Sequence, residues 1–192
     1  AYDAFKRAMR TSPSMAPSLA LPMARVCLDL GRWDEAEQNA RLGQKTNPGV
    51  AHEVLARVAL ARDRLDVAER ELEAVSGDKL AVLNASVLKA ELLIRRQQFA
   101  QALAQADGVA AGLKARGEPL PRDLEFLRGD ALANLGRHAE AAAAFEREIA
   151  AHPSNAKAYA RLAIVWGIQR RTYGEVYRLL DRMLAANPSP QT

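Results

Sequence analysis

Apolar and small residues recur along the chain three and four positions apart, the spacing of one helix face. That spacing predicts five helix pairs: 18–30 with 33–46, 51–62 with 65–76, 80–96 with 99–115, 121–135 with 138–151, and 155–169 with 173–186. A lone helix is predicted over 2–11. Gly31 and Gly136 stand where a first helix must stop, which suits a left-handed cap. Pro13, Pro48, Pro153 and Pro188 follow second helices, which cannot run through them. Gly77-Asp78 provides the break where no proline follows Ser76.

Two places depart from this regularity. Pro22 lacks a backbone donor, and with Pro17 it predicts a later start or a kink for the helix ending at Leu30. The stretch holding Gly112, Gly117, Pro119 and Pro121 is five residues longer than the usual period. It predicts an extended second helix or a loop, and a change of curvature there.

The pairs are copies of one unit. Gly31-Arg32-Trp33-Asp34-Glu35-Ala36 aligns without gaps on Gly136-Arg137-His138-Ala139-Glu140-Ala141, and each glycine precedes a proline by 17 positions. Weaker copies start at Arg64, Gln98 and Thr172. Equivalent positions at Ala36, Ala68, Ala102, Ala141 and Val176 lie 32, 34, 39 and 35 residues apart. Small residues at Ala24, Ala56, Ala90, Gly129 and Ala163 let a partner helix come close. One hairpin cannot bury its apolar face alone, whereas a stack of them can.

This period and pattern resemble the tetratricopeptide repeat, a helix–turn–helix of about 34 residues. The last unit carries the family pattern as Tyr159, Leu162-Ala163, Trp166, Val176, Leu180 and Pro188. Ala1, Phe5, Ala8 and Pro13 match a second helix lacking its first. The resemblance implies an all-α, right-handed α-solenoid of antiparallel helix pairs, with five full repeats and an N-terminal half repeat. The expected domain is a single solenoid over 1–192. Its repeats are 1–15 (half), 16–48, 49–82, 83–121, 122–154 and 155–188, with a tail at 189–192. The chain opens at Ala1 inside a unit, which predicts a piece of a longer protein.

Composition agrees with close-packed helices. Of 192 residues, 49% are hydrophobic but only 5% aromatic. Thirty-nine are alanine, the best helix former. The net charge is +4, and its interspersion along the chain argues against a nucleic-acid footprint. The mild basic excess lies at the C-terminal end, where residues 155–192 carry 6 cations and 2 acids. No stretch approaches the ~20 apolar residues of a membrane span. The single Cys27 excludes an intramolecular disulfide and a cysteine-based zinc site; it reads as a small core residue.

No catalytic constellation is present: no glycine-rich phosphate loop, no nucleophile elbow, no paired metal-binding histidines. His52, His138 and His152 fall in separate units and read as exposed helix-end residues. Trp33 and Trp166 read as core. No metal and no cofactor is expected.

In the resembled family, the first helices line a concave side that binds extended peptides or partner helices. Carried over by position, the candidate groove residues are Arg25, Asp29, Glu53, Arg57, Asn84, Val87, Glu91, Arg95, Asp123, Phe126, Asp130 and Asn134. The fifth unit contributes Lys157, Ala160, Ile164, Gly167 and Ile168. The lysine and asparagine pattern of the carboxylate-clamp subset is absent. The resemblance implies a non-enzymatic scaffold with a protein or peptide partner.

A structural alternative is self-association, or packing against a catalytic domain of a larger parent. The stretch from Leu120 to Ala163 and the ending from Ala185 to Pro190 are similar to repeat regions attached to bacterial sulfatase-like proteins. The Ala- and Arg-rich composition suits a bacterial source.

Overall fold

A computed structural model describes residues 2–11 and 16–188. Ala1, Pro13 and the tail at 189–192 lie outside the described residues. Within them the chain forms eleven helices and no strand: α1 (Tyr2–Thr11), α2 (Ala16–Asp29), α3 (Trp33–Gly43), α4 (Pro48–Ala61), α5 (Leu65–Glu73), α6 (Lys79–Arg95), α7 (Phe99–Ala115), α8 (Leu124–Asn134), α9 (His138–Ala151), α10 (Ala156–Ile168) and α11 (Tyr173–Ala186). The helices lie where the periodicity places them, with ends shifted by a few residues.

The turn inside each pair has one geometry. Gly31 and Gly136 adopt φ +68° and +76°, and Asp63, Gln97 and Arg170 take the same left-handed region at +55°, +60° and +55°. The next residue's amide then reaches back five positions. Arg32 N–H donates to the Cys27 carbonyl at 2.8 Å, and Arg64 to Ala59 at 2.9 Å. Gln98 donates to Leu93, Arg137 to Leu132 and Arg171 to Trp166, all at 2.8–2.9 Å. These bonds satisfy carbonyls the helix end would leave open.

Connections between pairs vary. Asn47 caps α4, its side chain accepting from Val50 N–H at 3.1 Å, and Pro48 begins that helix. A proline there ends one helix and starts the next, since its missing donor is not needed at a first position. Inside the last pair, Thr172 and Glu175 form a reciprocal capping box on α11. The long connection resolves into both forms the sequence allows: α7 runs 17 residues and a loop follows to Asp123. Pro22 neither ends nor delays α2, which begins at Ala16 and carries it inside.

Two compact units divide the chain after Leu92. In the first, Met23, Cys27, Ala36 and Val58 pack with Tyr2 and Phe5 of α1. Ala56, Ala59, Leu60, Ala68, Leu88 and Leu92 form a second cluster. In the second unit one core joins Ala131, Leu132, Ala141, Phe145, Tyr159, Leu162 and Leu179. The small residues read as helix crossings are buried, except Ala163, which is half-buried. Trp33 departs from its expected place: at the first position of α3, beside the turn, it stays 37% exposed. The histidines are half-buried rather than exposed. His52 Nδ1 pairs with Glu71 at 2.7 Å and its Nε2 meets Gln44 at 3.3 Å.

Candidate functional site

In the first unit, three of the candidate residues meet. Glu53 of α4 is 2% exposed, and its carboxylate lies between Arg25 of α2, at 3.5 Å, and Arg57 one turn along. Burial of a carboxylate is costly unless it is paired. Here the two guanidiniums, each partly in solvent, compensate it and cover it. Asp29 stands exposed near the end of α2. On α6, Asn84 and Glu91 are half-buried and Val87 is buried, so Val87 offers no surface to a ligand.

In the second unit, Arg95 is exposed at the end of α6. Asp123 precedes α8 with φ +70°, where its N–H donates to Glu148 Oε1 at 2.9 Å. The Asn155 amide donates to Asp123 Oδ1 and to Glu148 Oε1, both at 2.8 Å. This cluster fixes the start of α8 against α9 and α10, and Asp123 is spent in it. Phe126 is half-buried against Phe145, with ring centroids 5.9 Å apart. Asp130 is buried and held by Arg161 of α10. Asn134 is exposed and donates to the Asp130 carbonyl at 2.8 Å.

Beside Asn134 lies a cavity of about 170 Å³ formed by α8, α9 and α10. Ala133, Phe145, Ile164, Val165 and Ile168 supply its apolar wall; Asn134, His138 and Arg161 supply its polar edge. Ile164 and Ile168 remain 56% and 55% exposed. Nδ1 of His138 is buried without a hydrogen-bond partner.

Positional reasoning reached Asn134, Ile164 and Ile168 but passed over Arg161 and His138. The signal for Arg161 was available: Lys157, Arg161, Ile164 and Ile168 follow one another by four, three and four residues. His138 gave none, because its place depends on how α9 packs. Among the described residues, no group of three or more His, Cys, Asp or Glu side chains could hold a metal ion. No helix there is long and apolar enough to cross a membrane.

Family models described as tetratricopeptide repeat match residues 87–156 and 126–189, and a second such model matches 17–41 and 49–74. No curated protein matches the chain. Among solved structures, the chain is similar to TTC0263, a thermophilic TPR protein of Thermus thermophilus, with 20% identity and a TM-score of 0.75 over 91% of this chain and 93% of that one. It is similar to PilF of Pseudomonas aeruginosa, with 13% identity and a TM-score of 0.69 over 92% and 78%. It is also similar to YrrB, a TPR protein with an unusual peptide-binding site, with 16% identity and a TM-score of 0.53 over 99% and 95%. These likenesses establish the fold class as an all-α solenoid of helix-pair repeats.

Proposed function

The chain belongs to the tetratricopeptide repeat family, and on that premise we propose that it is a scaffold without chemistry of its own, holding a peptide or partner helix on its first helices. The fold is typical of protein–protein interaction scaffolds, and proteins of the family are generally non-catalytic. The observation that carries the reading is the α8–α9–α10 cavity, flanked by two isoleucines more than half exposed. The cavity is smaller than the roughly 300–1,000 Å³ of a small-molecule site, and its size suits a single side chain of a larger partner. The peptide-binding site named for YrrB is consistent with this reading.

Affinity capture with the intact chain beside an Ile164→Asp variant tests it. Ile164 is exposed, so the variant keeps the fold, which circular dichroism checks. A protein held by the intact chain and lost by the variant supports the scaffold reading. Equal retention by both sinks it.

A second reading has its own observation. On α11, Tyr173, Tyr177 and Leu184 are 87%, 68% and 63% exposed. At 100° per residue they fall within about 40° of one another, with Leu180 at the edge of the stripe. Such a stripe suits self-association or packing within a larger parent chain. The proposed sulfatase-like parent draws no support from the family models or the solved structures. Sedimentation velocity across a concentration series separates the cases: a constant monomer removes self-association.

A further inference from the structure

The last helix carries two apolar faces. Leu179 and Met183 of α11 join the core of the second unit. Tyr173, Tyr177 and Leu184 lie roughly 100° further round the helix. They are 87%, 68% and 63% exposed, and half-buried Leu180 stands between them.

The spacing of this second face reads the same in both directions. Tyr173, Tyr177, Leu180 and Leu184 follow one another by four, three and four residues. A two-fold axis crossing α11 midway between Tyr177 and Leu180 therefore sets each tyrosine level with a leucine of a second α11. Tyr177 stands level with Leu180 of the second copy, and Tyr173 with its Leu184. At 100° per residue the two members of each level lie on opposite sides of the seam, so they pack side by side without meeting end to end.

The charges beside the stripe match as well. Arg178 and Asp181 are exposed on one flank of it, and neither forms an ion pair with a described residue. In an antiparallel two-fold pair this flank meets the same flank of the other copy. Asp181 then lies about 3 Å along the axis from Arg178 of the second copy, within reach of the long arginine side chain. The reverse contact forms by symmetry. A parallel two-fold pair faces this flank with the core side of the other α11 and makes neither match.

We infer that α11 docks antiparallel on α11 of a second copy of this chain, about a two-fold axis between Tyr177 and Leu180. The inference rests on the self-association reading and supplies its register. A two-fold contact of this kind closes at a dimer. The two tyrosines, at about 200 Å² each, bring on the order of 300 Å² per copy. With the leucines and the charged flank the interface sits at the low end of stable contacts, below ~1,200 Å². The dimer is therefore weak, with a Kd on the order of tens of micromolar.

The test is sedimentation equilibrium of the intact chain, from about a tenth to ten times that concentration. Beside it run Tyr177→Glu, Arg178→Asp, and Arg178→Asp combined with Asp181→Arg. All three change exposed positions, and circular dichroism checks their folding. The expected result is a monomer–dimer equilibrium that Tyr177→Glu weakens at least about tenfold. Arg178→Asp alone should weaken it about threefold or more, and the double charge swap should restore it. A dimer lost with Tyr177→Glu but indifferent to both charge variants overturns the antiparallel register. A dimer that survives Tyr177→Glu overturns the inference and leaves self-association standing through another surface. A monomer at every concentration overturns the inference and self-association together, and leaves packing within a parent chain.

Discussion

The ring of Phe145 in α9 lies against the bare backbone of Gly129 in α8: a Cβ at 129 would fall 2.7 Å from Phe145 Cε1. The same ring forms part of the cavity wall. Gly129→Ala therefore forces Phe145 to shift, and with it the wall of that cavity. Overpacking costs about 1–3 kcal/mol, against the ~1 kcal/mol that Ala gains over Gly in a helix. Urea unfolding should show net destabilisation, and peptide affinity should drop beyond what lost stability explains.

Gln97 and Arg170 hold the left-handed turn position with side chains that disfavour it. Gly relieves that strain, so Gln97→Gly and Arg170→Gly should each stabilise by about 0.5–1 kcal/mol. Gly136→Ala should cost about as much in the other direction. Urea midpoints of the three variants measure the signs.

Glu175 is held at a pKa of about 2 by hydrogen bonds from Arg171 and then from the Thr172 backbone and hydroxyl. Its folded pKa lies below the unfolded value. The capping contribution is therefore complete above the usual carboxylate range and is lost as pH falls through it toward 2. The first turn of α11 should fray over that acid window, visible as faster amide exchange at 173–176. Glu175→Gln should flatten the dependence.

The Cys27 thiol is fully buried, and its pKa is raised by burial first and by the Glu35 carboxylate second. Both effects suppress the reactive thiolate. An aromatic disulfide reagent should modify it slowly in the native protein and at once in denaturant. Native labelling as fast as in denaturant would contradict the packing of α1 and α3 over α2.

Arg57→Ala leaves Glu53 with Arg25 alone, at 3.5 Å. Removing one of the two guanidiniums that satisfy a buried carboxylate costs about 1–3 kcal/mol, with Arg25 still offsetting part of the charge. Arg57→Ala with Glu53→Gln should recover part of that loss, a coupling that a double-mutant cycle in urea can read.

The helices and their pairing were legible because helix pairs with 3.6-residue periodicity recur five times and glycine or proline punctuates them. Gln97 and Arg170 were not legible as left-handed, since their side chains carry no such signal and the turn imposes it. The groove positions were legible as places on a helix face, but their availability was not. Glu53 and Asp130 sit on the expected face and are covered by Arg25, Arg57 and Arg161, long side chains from the same and neighbouring helices. Trp33 was misread because a bulky aromatic suggests a core, whereas the first position of α3 points it beside the turn. His138 depended on packing that no local pattern encodes.

Each of the five turns closes through a hydrogen bond between residues five positions apart. The decisive contacts of a hairpin are thus short in sequence and do not wait for distant partners. Chains rich in such local contacts fold quickly. A repeat can close as soon as its own thirty-odd residues have left the ribosome, and stacking can then proceed in the order of synthesis.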